Sequence, residues 1–248
     1  MQVKHKVSKL GCAIALVAGI AMVPNAYADM TGNVGVFSKY ILRGMTFPAP
    51  GASENDGAAV QGGLDYSHAS GFYAGYWGSS LGYGSDANTG FENNFYGGFG
   101  GKAGNIGYSI GLIQYYYLNV DDSNGLEVDA SLSFGPVKGR MQYLTNDVAW
   151  GNAGDIYWTL GYSTKLPKDF SFGATLGHYT YDDSNGKYIS AAATRGTSAF
   201  RHLDLSLSHP IGATGADMSI TYVKGGEMRD GTDLKDGIVF GIKYGFNI

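Results

Sequence analysis

His202 and Asp204 are the residues whose types and spacing come nearest to a chemical device. They lie in "RHLDLSLSHP" at 201–210, where polar and apolar residues alternate. A strand points successive side chains to opposite faces. His202, Asp204, Ser206 and Ser208 therefore share one face, and Leu203, Leu205 and Leu207 share the other. A carboxylate beside an imidazole can orient it as a general base, and the pair also supplies half of a metal site. Neither device is completed in the sequence. No Cys or His stands nearby to finish a ligand set, and there is no Gly-x-Ser-x-Gly elbow. The plainer reading is a structural polar pair, which leaves no catalytic residue, no metal site and no cofactor motif. The enzymatic alternative is a lipid-modifying hydrolase with a Ser and a His on one wall. It rests on the adjacency of Ser206 and Ser208 to His202 and His209 in sequence alone.

A second feature is "DDSNG", which occurs at 121–125 and again at 182–186. Acidic loops of this kind can hold calcium or the ions that bridge lipopolysaccharide. Neither copy has alternating ligands with a distant Glu in register, and Asp with Asn-Gly is turn chemistry. Charges on the polar faces of the alternating segments form the third feature. Lys39, Arg43, Lys138, Arg140 and Lys243 stand against Gln61, Asp65, Glu92, Glu127, Asp129, Asp204 and Asp217, with His202 among them. Facing a common interior, they form either a charged constriction that selects solutes or a self-neutralising plug of ion pairs.

The elements that must position these residues read as strands. Twelve alternating segments occupy about 32–43, 58–67, 72–81, 91–102, 106–117, 126–135, 137–146, 155–165, 170–181, 200–209, 216–223 and 236–246. Each is near the ~9–11 residues that a tilted strand needs to cross a bilayer. Val128, Ala130, Leu132 and Phe134 oppose Glu127, Asp129, Ser131 and Ser133. Ile238, Phe240, Ile242, Tyr244 and Phe246 oppose Gly237, Val239, Gly241, Lys243 and Gly245. Connections after odd-numbered segments are long and polar, such as "MTFPAPGASENDG" (45–57) and "DDSNGKYISAAATRGTS" (182–198). Those after even-numbered segments are short, such as "AGN" (103–105) and "PKD" (167–169). That alternation is what a barrel with short periplasmic turns and longer external loops produces, and a Greek-key sandwich does not require it. The even count puts both termini on the periplasmic side.

Composition agrees. Gly makes up 40 of 248 residues, Tyr 19, and apolar residues 44%, and after residue 28 no apolar run is long enough for a membrane helix. The start differs in kind. Lys4, Lys6 and Lys9 precede an apolar stretch from Leu10 to Val23, and Ala26-Tyr27-Ala28 fits an A-x-A cleavage site. The chain therefore divides into an expected signal peptide, 1–28, and an outer-membrane barrel, 29–248. Cys12, the only cysteine, sits too early in the apolar run to be lipidated. Cleavage after Ala28 removes three of the 17 basic residues and none of the 21 acidic ones, for a mature net charge of −7. That balance argues against nucleic acid, and the absence of Cys leaves no disulfide framework.

The first three segments carry a resemblance. Tyr40, Arg43 and Gly44 close the first. Gln61, Gly62, Gly63, Asp65 and Tyr66 follow, and then Gly71, Phe72, Tyr73, Gly75 and Trp77. Over these residues the chain resembles the TorF family of porins, exported Gram-negative proteins expected to be small outer-membrane barrels. The resemblance implies pore formation and brings no catalytic residues. The expectation is an all-β, antiparallel up-and-down transmembrane barrel that passes small solutes down their gradients. A non-conducting structural or adhesive barrel is a further alternative. The expected partners are outer-membrane lipid and lipopolysaccharide, small solutes, periplasmic chaperones and the barrel-insertion machinery.

Overall fold

A computed structural model of the protein describes residues 29–47, 57–82 and 90–248. The expected leader, 1–28, lies outside the described residues, as do 48–56 and 83–89 within two of the expected long loops. Twelve antiparallel strands close into a barrel. They are β1 (Asp29–Phe37), β4 (Ala59–Ser67), β5 (Phe72–Leu81), β6 (Gly90–Ala103), β7 (Ile106–Leu118), β8 (Leu126–Phe134), β9 (Val137–Leu144), β10 (Ile156–Lys165), β11 (Ser171–Thr180), β12 (Ser198–Pro210), β13 (Ala216–Gly225) and β14 (Gly237–Asn247). Two short strands, β2 (Tyr40–Leu42) and β3 (Met45–Phe47), pair with each other apart from the wall. Each wall strand pairs with its neighbours in sequence, and β1 seals the barrel against β14 from Thr31↔Asn247 to Phe37↔Gly241. Both ends of the described chain therefore sit on one rim.

Period-2 patterning accounts for the wall. Alternate side chains point outward as an apolar belt, and Leu132 and Phe134 are 62% and 64% exposed. Their neighbours Glu127 and Asp129 are buried at 1% and 8%. Acids inside and leucines outside invert the pattern of a soluble domain and match a wall that faces lipid. The short connections gather on the rim that holds the termini. Two of them are two-residue turns that put Gly first, at Gly104 (φ +61°) and Gly135 (φ +55°), as a II′ hairpin turn requires. The longer connections gather on the opposite rim.

Two departures from the sequence reading matter. The first strand was expected to run over 32–43 but leaves the wall after Phe37. Residues 40–47 then form the β2–β3 hairpin, turning at Arg43 (φ +51°) and Gly44 (φ +78°). Positive φ at both central positions is the I′ turn, so "Leu-Arg-Gly-Met" ends one ribbon and starts its return. Arg43 is therefore not on the wall, and Lys39 lies in the link between β1 and β2. The second departure is in β12. His202 pairs with Gly177 but Phe200 with His178, so Arg201 is an extra residue in a β-bulge. The alternation in "RHLDLSLSHP" thus breaks at its first residue: Arg201 and His202 are both buried.

Leu205 lies near the middle of β12, between Ala174 and Tyr222, and is 38% exposed on the outer face. Leu205→Arg is expected to cost about 2–4 kcal/mol of folding stability in a bilayer, measured by denaturant titration in lipid vesicles. An inward change of similar reach, Ser206→Asn, should cost far less. Equal losses would mean that the faces are reversed.

Candidate functional site

The site is the barrel interior, and the β2–β3 hairpin organises its loop-bearing half. The ribbon folds in from β1, where the Ser38 amide donates to the Phe240 carbonyl at 2.8 Å. Its apolar residues meet opposite sides of the barrel. Tyr40 packs against Phe47 and Trp77, and Ile41 joins Phe37, Val223 and Val239. At the turn, the Arg43 guanidinium donates to both Glu127 oxygens (2.9 and 2.8 Å), to the Tyr115 hydroxyl (3.1 Å) and to the Tyr179 hydroxyl (2.5 Å). Four aromatic rings surround it, with Tyr157 nearest at 4.5 Å from the ring centroid. A non-Gly residue at positive φ costs on the order of 1–3 kcal/mol and persists only where its surroundings over-determine it. Here a cage of charge and aromatic faces does so.

Glu127 is shared further. It accepts from Tyr115 at 2.8 Å and from the Gln142 amide at 2.8 Å. Glu92 is fully buried beside the hairpin and accepts from the Tyr40 hydroxyl (2.7 Å) and Asn94 (2.8 Å). Along the wall Asp129 pairs with Arg140, Asp65 accepts from Tyr96 at 2.5 Å, and Gln61 donates to Ser79 at 3.3 Å. His202 contacts Asp204 through Nδ1 (2.7 Å) and the Tyr157 hydroxyl through Nε2 (2.5 Å). Nearer the rim with the termini several inward side chains are short. Ser109 and Ser131 bond at 2.7 Å, and Ser206 donates to the Gly173 carbonyl at 3.3 Å. Lys138 stands half-buried at the start of β9, and Asp217 faces Lys243 across β13 and β14.

The loops of the other rim pack on one another. Asp155 before β10 pairs, buried, with Arg229 of the 226–236 loop. Arg229 also donates to the Asp182 carbonyl and to Thr194 at 2.8 and 2.9 Å. Tyr188 reaches Asp122 at 2.6 Å. The two "DDSNG" copies act as turns. Asn124 caps the Tyr117 amide at 2.8 Å, and Asp182 takes the Ser184 amide at 2.9 Å and also its hydroxyl.

The structure brings together Arg43 and Glu127, Asp129 and Arg140, and His202 and Asp204 from the sequence candidates, and places Glu92 beside the same hairpin. Sequence reasoning missed Tyr115, Tyr157, Tyr179, Arg201, Asp155 and Arg229. For Arg201 a signal exists: strict alternation would put it on the leucine face, and a charge there marks a bulge. For the tyrosines there is none, because Tyr is equally common on the outer belt. The hydrolase reading gains no geometry. Ser206 does not reach His202, and the Ser–His hydrogen bond among the described residues is His68–Ser70 (2.8 Å) in a short turn. There Ser70 also accepts the Phe72 amide.

Fold and interior together define the class: a closed, twelve-stranded antiparallel barrel with an apolar outside and a polar, charged inside. The chain belongs to the family described as "Bacterial protein of unknown function (Gcw_chp)", whose profile matches residues 21–244. No curated protein matches the sequence. Among solved structures it is similar to a KdgM porin, with a TM-score of 0.54 and 8% identity over 87% of this chain and 99% of that one. It is also similar to an outer membrane channel from Pseudomonas putida F1, with a TM-score of 0.50 and 10% identity over 90% of this chain and 96% of that one. At those identities the likeness is one of fold.

Removing one partner of a buried ion pair leaves the other uncompensated. Arg43→Ala and Glu127→Ala are each expected to lose about 3–5 kcal/mol. The double variant should lose less than the two losses added, as a double-mutant cycle of unfolding in micelles or vesicles would show. Simple additivity would mean that the pair does not hold the hairpin.

The loop acids give a pH dependence. Ser184 holds the Asp182 carboxyl below the usual carboxylate range, and the Ala153 and Lys187 amides do the same for Asp147. Tyr222 and Lys224 depress Asp236. A depressed folded pKa contributes stability above the unfolded value of about 4, lost as pH falls through the folded value. Limited proteolysis should therefore cut the 181–197 and 226–236 loops faster at pH 3 than at pH 6, while the wall strands stay protected.

Proposed function

We propose that this protein is an outer-membrane porin of the TorF kind, exported with removal of residues 1–28, its loop-bearing rim outside the cell. It passes small solutes down their gradients through a narrow interior of mixed charge. The single observation that supports this reading is the inverted patterning of the barrel: apolar side chains face outward, while acids, arginines and tyrosines fill the inside. Lys39, Arg43, Gln61, Asp65, Glu92, Glu127, Asp129, Lys138, Arg140, His202, Asp204, Asp217 and Lys243 line the path in this reading, and the β2–β3 hairpin is its constriction. Lipid and lipopolysaccharide surround the outer belt. Delivery by periplasmic chaperones to the insertion machinery follows from the same topology.

Planar-bilayer recording tests it. The full mature chain should show discrete conductance steps, and a variant with residues 41–46 replaced by a short Gly-Ser link should show steps several-fold larger. Folding of both is checked by the mobility shift between boiled and unboiled samples on electrophoresis. If both fold and neither conducts, the channel reading fails. Recovery of the protein from the soluble periplasm would remove the barrel from the membrane altogether.

A further inference from the structure

Four arginines have their guanidinium groups buried within the barrel or under its loops, and three of them have carboxylates: Arg43 with Glu127, Arg140 with Asp129, and Arg229 with Asp155. Arg201 differs. It is 6% exposed, and its hydrogen bonds go to backbone carbonyls, from Nε to Arg43 at 2.8 Å and from Nη1 to Glu227 at 3.2 Å. Among the described residues no carboxylate pairs with it; its field reaches Asp230 on the exposed loop above without contact. A buried guanidinium without a counter-charge is costly. The sequence uses a bulge to put it there, turning Arg201 off the lipid face and into the interior.

A second observation lies beside it. The Tyr181 hydroxyl is buried and has no hydrogen-bond partner. The Tyr181 ring stacks on Tyr179 at 5.0 Å and 9°, and the Arg201 guanidinium carbon sits 5.6 Å from the Tyr179 ring centroid. Of the charges around Tyr181, that of Arg201 acts on it most strongly. The other face of Tyr181 is covered by Arg229 at 4.6 Å, and Arg229 is already neutralised by Asp155. One positive charge without a carboxylate and one free hydroxyl donor thus both lie against the Tyr179 ring, where β11 and β12 meet the longer loops.

We propose that Arg201 and Tyr181 form a binding site for one carboxylate of a small anionic solute. Resting on the channel reading, the site makes carboxylate-bearing solutes the class the pore favours. A guanidinium fork matches a carboxylate in two parallel hydrogen bonds with opposite charge on the two partners, which a neutral carbonyl cannot supply. In this site the anion takes the place of the Arg43 and Glu227 carbonyls on the Arg201 fork, and the Tyr181 hydroxyl donates the third bond. Because the Arg43 carbonyl belongs to the hairpin turn, the solute binds at the edge of the constriction.

The test uses the full mature chain in detergent micelles, with succinate as probe and succinamide as neutral control. Calorimetric titration should show one saturable succinate site and no response to succinamide. Arg201→Gln should weaken succinate binding by about tenfold or more, Tyr181→Phe by less, and Arg201→Lys should restore part of it. Unaltered binding in Arg201→Gln, or no succinate binding to the folded wild type, overturns the site. In planar bilayers succinate should reduce the potassium chloride current saturably, at concentrations that rise about tenfold in Arg201→Gln. Succinate binding by a protein that never conducts would keep the site and overturn the channel. Conduction that succinate does not touch would overturn the site and keep the channel.

Discussion

Everything in this protein depends on one constraint, the pairing of every wall amide and carbonyl with a neighbouring strand. In hydrocarbon an unpaired peptide group costs several kcal/mol. The β1–β14 seam, which joins the first and last strands over Thr31–Phe37, is therefore what allows the sheet to exist in lipid at all. Closure then fixes the faces. With strands of period 2, one set of side chains must point to lipid and the other into a confined interior, so each choice of residue is a choice between those two solvents. It also limits where an extra ribbon can go. The β2–β3 hairpin pairs with no wall strand; it is compatible with the bilayer only inside the barrel, and there it lies.

The interior is consequently asymmetric along the barrel. Toward the loop-bearing rim, large side chains from β5, β6, β7, β10, β11, β13 and β14 converge on the hairpin. Tyr40, Tyr115, Tyr117, Tyr157 and Tyr179 are all buried there. Toward the other rim, serines and glycines face inward among Tyr73, Lys138, Asp217 and Lys243.

Most of the wall was legible in the sequence because two independent signals reinforced each other. Face alternation in segments such as Leu126–Phe134 and Gly237–Asn247 located the strands, and the rhythm of long and short connections ordered them around the barrel. The hairpin was not legible, and the reason is physical. "SKYILRGMTF" continues the apolar character of β1, and a strand that turns inward against tyrosines has the same composition as one that continues in the wall. Only Gly44, suited to a positive φ, separates the cases, and it reads equally well as the end of a strand. The partners of Arg43 were half legible. Glu127 announced itself by opposing Val128, whereas Tyr115 and Tyr179 lie in segments with aromatics on both faces. Arg201 was hidden by the bulge, since a strict period assigns it to the wrong side.

The manner in which the hairpin is held bears on what it is for. A permanent plug is held most firmly by well-packed apolar side chains, because a buried ion pair seldom outperforms a hydrophobic replacement of similar volume. This hairpin uses both kinds of contact, but unequally. Ile41 is packed with Phe37, Val223 and Val239 near the root of the ribbon, where it leaves β1. The tip is held by Arg43 through charge-assisted hydrogen bonds to Glu127 and through the backbone carbonyl that Arg201 grips. Breaking such buried bonds without an equal replacement is strongly destabilising. The root is thus fixed by apolar packing, and the tip by polar bonds inside an aromatic cage. In the channel reading proposed above, that tip is the constriction.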